Sequence, residues 1–284
     1  MNSKVIQERQ NEEYSLQTQY AARVCFNAAE RLNRYVWIAC IISAFSVFLP
    51  STWPEYVLYG IPFVFDLVAA FFTYLASQKV ILASDLRKAF DSYVLDFGTD
   101  QRAESDHYRL KEKVIKICSK DPVKTASQIS RSGKDSSPGV RDWYVFSDPI
   151  DGIIAQFECQ RQNAWWNTKL SPIRYVLSCV CVVVVGVIFY CLAIKNGILS
   201  SILCSAGLIL RLIERIVVNY RYICISKSIE GALQTIEVQP TLEGMRVLQN
   251  LIDQRRAMNV LELNFIHGKM AKKLTSLYES IISQ

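Results

Sequence analysis

Histidine is scarce: this 284-residue chain has only His107 and His267. Two imidazoles make no metal cluster without carboxylate help. No zinc-protease spacing, phosphate-binding glycine loop or nucleophile elbow occurs either. The chain is therefore expected not to be an enzyme, with no resident cofactor or metal, although catalytic carboxylates are not individually recognisable among its 26 acids. Cysteine is present nine times without any metal-ligand or thiol-redox spacing. Cys179, Cys181, Cys191 and Cys204 lie in apolar runs, and Cys25, Cys40, Cys118, Cys159 and Cys224 are scattered. All nine read as small hydrophobic residues.

Charge is missing over whole stretches. Twenty residues, 35–54, separate Arg34 from Glu55, and 56–78 carry only Asp66. Another twenty, 175–194, lie between Arg174 and Lys195, and fifteen more, 196–210, precede Arg211. A helix needs about 20 apolar residues to cross the hydrocarbon of a bilayer. The runs thus predict four membrane spans in two hairpins, with short turns at 49–55 and 195–197. Short turns leave every long segment on one side. Of 32 Lys and Arg, only Lys195 sits in a short turn, so the positive-inside rule puts both termini and the middle region in the cytoplasm. The first thirty residues are polar, which predicts no cleavable signal peptide.

The expected fold is predominantly α. An N-terminal helical region (1–34) enters the first hairpin (35–76). A cytoplasmic sensor region (77–174) precedes the second hairpin (175–217), and C-terminal helices (218–284) complete the sensor domain. Residues 10–34 have apolar positions at three- and four-residue steps with no Gly or Pro, which predicts one rod running into the first span. The segment 119–142 is rich in Ser, Gly, Pro and Lys and reads as an exposed loop. Its cations (Lys120, Lys124, Arg131, Lys134 and Arg141) are either an arm that closes on an anion or a solvated connector. Leu242, Met245, Leu248, Leu251 and Ile252 mark a helix started by Thr241, and Met270, Leu274, Leu277 and Ile281 mark another.

The stretch WYVFSDPIDGIIAQFECQRQNAWWN (143–167) is too polar to cross a membrane and too aromatic for a spacer. Asp148-Pro149 predicts a helix start. From Ile150 on, helical spacing puts Ile150, Ile153, Ile154, Phe157, Ala164 and Trp165 on one face, with Arg161 inside it. Gln156, Gln160, Asn163 and Asn167 form an amide stripe beside it. A buried guanidinium needs a partner. That partner is either an acid such as Glu158, Asp91 or Asp96, or a ligand phosphate, which suits the forked Arg donor. The amides read base edges or bond helix to helix, and the aromatics stack bases or fill core and interface. Candidate ligand contacts are therefore Trp143, Tyr144, Gln160, Arg161, Asn163 and Trp166.

Ionisable groups in spans face a bundle interior or water. Asp66 lies mid-span, and Arg211, Glu214 and Arg215 share one helical face. These four are candidate pore or gating residues. Asp66 and Arg211 read as a buried pair or a pore lining, and Arg215 as a lip-level cation.

Trp143-Tyr144, then Cys159-Gln160-Arg161-x-Asn163-x-x-Trp166 and a hydrophobic hairpin, resemble the four-helix transmembrane effectors of bacterial cyclic-oligonucleotide antiphage signalling (CBASS). Arg9-Gln10-Asn11-Glu12-Glu13 fits this family, as does Leu248-Gln249-Asn250-Leu251-Ile252 with Arg255 and Asn259. The resemblance implies a homo-oligomeric inner-membrane effector. Its activating ligand would be a cyclic oligonucleotide from a neighbouring nucleotidyltransferase, and its partners the bilayer and its own copies, not DNA or RNA. Binding would disrupt the membrane in an abortive infection. The competing expectation is a membrane scaffold or a constitutive channel or transporter whose cytoplasmic domain binds protein.

Overall fold

A computed structural model describes residues 2–49, 52–98, 102–133, 135, 138–146, 149–150, 152–258 and 260. The side chains of 166–171, 195–196 and 199–200 lie outside that description. The chain is predominantly helical, and no strand occurs among the described residues. Its elements are α1 (Ser3–Gln10), α2 (Glu13–Phe45), α3 (Glu55–Leu95), α4 (Glu104–Cys118), α5 (Pro122–Ser130), α6 (Gly152–Asn196), α7 (Ile198–Val238) and α8 (Leu242–Ala257).

Four of these are rods. No Gly or Pro interrupts the 33 residues of α2. Helices α3, α6 and α7 run for 41, 45 and 41 residues. At 1.5 Å per residue the longer rods reach roughly 60–70 Å, about twice the hydrocarbon thickness. Helices α2 and α3 form one antiparallel hairpin, α6 and α7 the other. The second turns on Gly197 alone, whose φ of 85° is the left-handed conformation that glycine tolerates. The boundaries drawn at 34/35, 76/77, 174/175 and 217/218 all fall inside helices, so every rod is continuous where its composition changes.

The apolar half is built from the α2–α3 and α6–α7 turn ends. Ile38, Phe63, Phe71, Val183, Val187 and Leu210 are among the large side chains exposed there. Helix α3 and the Pro172–Ile194 part of α6 are long and apolar enough to cross a membrane. A small core of Val36, Ala39, Cys40 and Ala69 joins α2 to α3. In the polar half, two larger cores bury what the exposed belt leaves open. One unites Ile6 of α1, Phe90 and Val94 of α3, Tyr144, Phe157 of α6, Ile229 of α7, and Met245, Leu248 and Ile252 of α8. The other packs Leu110, Val114 and Cys118 of α4 on Leu16, Tyr20 and Cys25 of α2.

Several local expectations change. The segment 119–142 holds α5: Asp121 accepts from Lys124 N at 3.0 Å, and Pro122 opens the helix. A capping motif lay inside a loop-like composition. Arg23 pins α5 to the turn at 138–139, donating to Gln128 Oε1 (3.0 Å), Pro138 O (2.7 Å) and Gly139 O (2.6 Å). Helix α6 starts at Gly152, and Asp148 lies outside the described residues. Its buried face runs through Ala155, Phe157, Cys159 and Ala164, while Ile154 is exposed. The Thr241 cap of α8, which accepts from Gly244 N at 3.1 Å, and the packing of Met245, Leu248, Leu251 and Ile252 are as expected, whereas Leu242 is exposed. The stripe at Met270–Ile281 lies outside the described residues.

A Cβ at Gly139 would sit 1.9 Å from the Arg131 carbonyl oxygen, which is backbone and cannot swing aside. Gly139→Ala should therefore loosen 131–141 and speed its cleavage in limited proteolysis several-fold. Unchanged cleavage would contradict this packing.

Candidate functional site

The fully buried Asp91 carboxylate on α3 organises the polar half. Tyr144 Oη donates to its Oδ1 at 2.7 Å. On Oδ2 it receives Gln249 Nε2 at 3.3 Å and a salt bridge from Arg256, both from α8. Asn163 of α6 donates to Tyr144 Oη at 2.8 Å, and Gln160 donates to Gln249 Oε1. Gln10, the last residue of α1, clamps the Tyr144 backbone from both sides, giving Nε2 to its carbonyl (3.0 Å) and taking its N–H (2.8 Å). One carboxylate thus ties α1, α3, α6, the 143–146 segment and α8 together. A buried charge is tolerable only when paired and hydrogen-bonded in this way.

Charges around the network are strained by burial. Asp253 receives Gln249 Nε2 at 2.9 Å. Burial raises its carboxyl to about 6 and the charge of Asp91 adds to the rise, against the lowering pull of Arg256, Gln249 and Lys88. Burial also lowers Arg87 to about 9, helped by the neighbouring Arg256 and Arg23. Its guanidinium lies over the Trp143 ring, 4.0 Å from the centroid. Tyr144 is pushed well above its ordinary value, first by burial and then by Asp91.

Tyr144, Gln160 and Asn163 are thus drawn into one network. Of the amide stripe, Gln160 and Gln156 bond helix to helix, Gln156 donating to Leu95 O, while the side chain of Asn167 lies outside the described residues. Trp143 borders it through Arg87. Arg161 is half-exposed and pairs with Glu158 at 2.7 Å, the acid three residues before it. Trp166 lies on α6, with its side chain outside the described residues.

Beside the network, a groove of about 870 Å³ opens between the start of α2, the end of α3 and α4. Its floor includes Phe90 and Leu110, and Tyr14, Tyr93 and Tyr108 stand around it with Arg9, Lys111 and Glu104. Sequence reasoning missed this groove. Its tyrosines are 79 and 15 residues apart, and only an exposed Tyr on a charged helix such as α4 hinted at it. The Phe90 ring stacks on Tyr144 with centroids 6.3 Å apart, so groove and network share a wall.

In the apolar half, Asp66, Arg211 and Glu214 line a second cleft, of about 420 Å³. Arg211 pairs with Glu214 on its own helix and donates to Asn33 Oδ1 of α2 at 2.6 Å. Arg215 reaches the same oxygen at 2.7 Å. Asp66 and Arg211 share the cleft without forming a salt bridge to each other. Asp66 instead fits against Gly207, where a Cβ would lie 2.1 Å from Oδ1. Ser43 Oγ donates to Pro62 O (3.3 Å) and Cys204 O (3.2 Å), joining the two hairpins at the same level. No group of His, Cys, Asp and Glu suited to a metal ion occurs among the described residues.

Two helical hairpins with apolar turn ends run on into a packed polar half, and α3 and the Pro172–Ile194 part of α6 are long and apolar enough to cross a membrane. The chain matches the model of the SMODS-associating 4TM effector domain over residues 4–281 and belongs to that family, the four-helix effectors associated with CBASS. No curated protein and no solved structure matches it.

Asp91→Ala would leave Arg256 buried without its main partner and free three hydrogen-bonding groups. The expected loss is about 3–5 kcal/mol of stability, read as a lower unfolding midpoint in detergent; Arg161→Ala, at an exposed pair, should cost under about 1 kcal/mol. The raised Asp253 carboxyl gives a pH signature. It binds its proton more tightly folded than unfolded, so its contribution is complete below the unfolded value near 3.8 and disappears as pH rises through about 6. Hydrogen exchange corrected for intrinsic rate should show α8 better protected at pH 5 than at pH 7.5. Asp253→Asn should abolish that difference.

Proposed function

We propose that this chain is the membrane effector of a bacterial antiphage signalling system, activated by a cyclic nucleotide to compromise the inner membrane. Four spans, formed by the apolar ends of α2, α3, α6 and α7, lie in the bilayer as an oligomer of this chain. The polar half is the cytoplasmic sensor, assembled from the N-terminal, middle and C-terminal segments, with both termini inside the cell. The messenger comes from a nucleotidyltransferase of the SMODS type, the association carried by the family's name.

One observation carries this reading. The rods that build the polar half enter the apolar half without a break, and at both levels they are cross-tied by polar groups. A rod shifted at one end must shift at the other, because an α-helix transmits displacement along its axis. In this account Tyr144, Gln160 and Asn163 transmit the shift from ligand to rods. Trp143, Arg161 and Trp166 flank the same part of α6 and its approach. Asp66, Arg211, Glu214 and Arg215 form the gate. Membrane-buried charge is unfavourable by about 2.5–3.5 kcal/mol per group on insertion scales, so four such residues are expected to serve the function.

Vesicles carrying the purified protein and a trapped dye test the proposal. A cyclic nucleotide should trigger leakage that is absent without it. Leakage at all times, or with none of a panel of cyclic di- and trinucleotides, would favour a constitutive channel or a protein-binding scaffold instead. The gate makes its own prediction. Gly207→Ala drives a methyl group into the Asp66 carboxylate and should part the hairpins, giving leakage without nucleotide. Asp66→Asn, which keeps the shape but removes the charge, should change triggered leakage several-fold. If both variants behave as the parent, these residues do not gate.

A further inference from the structure

The groove between α2, α3 and α4 has no assigned occupant. Its walls are aromatic where water would favour polar residues: Tyr14, Tyr93 and Tyr108 are 43%, 47% and 66% exposed. Exposed aromatic faces above an apolar floor offer a stacking surface for planar rings, and every nucleobase has such a face. A volume of about 870 Å³ lies in the range of small-molecule sites, roughly 300–1,000 Å³.

The rim sets the cations Arg9 and Lys111 among three acids, Glu12, Asp96 and Glu104, and the two cations are the groups suited to a phosphodiester. The Arg9 guanidinium is held over the Tyr93 ring, 5.3 Å from its centroid, by Nη1 donating to Tyr93 O (2.9 Å) and Asp96 (3.3 Å). That fixes the fork and leaves its other nitrogens for a ligand. The Lys111 ammonium lies 5.8 Å from the Tyr14 ring and has no carboxylate partner among the described residues. Glu104, also on the rim, makes no ion pair or side-chain hydrogen bond among the described residues, and a carboxylate accepts from base N–H groups.

Lipid headgroups are ruled out as the source of phosphate by distance. Tyr14 precedes Tyr35, where the charge-free run of α2 begins, by 21 residues. That is about 30 Å along the helix. The occupant must arrive from solution.

We infer that this groove is the messenger's binding site: bases stack on Tyr14, Tyr93 and Tyr108 while Arg9 and Lys111 hold the two phosphodiesters of a cyclic dinucleotide and Glu104 reads a base edge. The inference rests on the proposed activation by a cyclic nucleotide and adds its location. It also supplies a route onward. Phe90 beneath the bases stacks on Tyr144, and Arg9 is the chain neighbour of Gln10, which clamps the Tyr144 backbone.

The test is equilibrium binding of 3′,3′-cyclic di-GMP, cyclic di-AMP and the mixed GMP–AMP cycle to the full-length protein in detergent. Tyr108→Ala and Lys111→Glu, both at exposed positions and so compatible with folding, should each weaken the binding member by about tenfold or more. Lys111→Arg should restore it, and Lys227→Ala, at an exposed position of α7 outside the groove, should leave it unchanged. Parent protein that binds while Tyr108→Ala and Lys111→Glu bind equally well would overturn the groove but not the nucleotide reading. Parent protein that binds none of the three would overturn the cyclic-dinucleotide assignment, and leakage assays with cyclic trinucleotides would then decide the broader reading.

Discussion

The structure depends on keeping one negative charge buried. Asp91 has no water to solvate it, so it holds Tyr144, Gln249 and Arg256 around itself. Each partner belongs to a different part of the chain or leads to one. Tyr144 brings Asn163 of α6 and Gln10 of α1, and Gln249 brings Gln160. An apolar contact of equal area would hold these elements together as well, but it would tolerate sliding. A hydrogen-bonded carboxylate fixes register, because misplacing any partner leaves a buried charge unsatisfied.

That register matters because the elements it fixes are long. In the proposed arrangement, a helix held at Asp91 on α3 is also held at Asp66 twenty-five residues away, against Gly207 of α7. Ties in the apolar half run from Ser43 to Pro62 and Cys204, from Asn33 to Arg211 and Arg215, and from Asn219 to Ser178. Among the described residues the polar half holds two large cores and the apolar half a smaller one, and in the proposed arrangement the first acts as the lever and the second as the working end.

The rods were legible in the sequence because their signals are local. Charge-free runs, the absence of Gly and Pro from α2, and the Thr241 cap of α8 all lie within one helix. The family was also legible, through motifs spread over most of the chain. The helix α5 was not, because Ser, Gly and Lys in 119–142 outweighed the Asp121-Pro122 start. The hub was hidden for a different reason. In the sequence Asp91 is only one possible acid partner of Arg161, whereas its partners in the structure are 53, 158 and 165 residues away. Arg161 drew attention by its place on an apolar face, yet α6 is rotated enough to expose it beside Glu158. The groove is assembled from four helices that no spacing connects.

The central claim is that the polar and apolar halves are one mechanical unit. Hydrogen–deuterium exchange on the full-length protein in vesicles, with and without the cyclic nucleotide that triggers leakage, tests it most directly. The account requires exchange to change together along 104–111 beside the groove and along 204–215 beside Asp66. A change confined to the groove side, with 204–215 untouched while the vesicles leak, would contradict it.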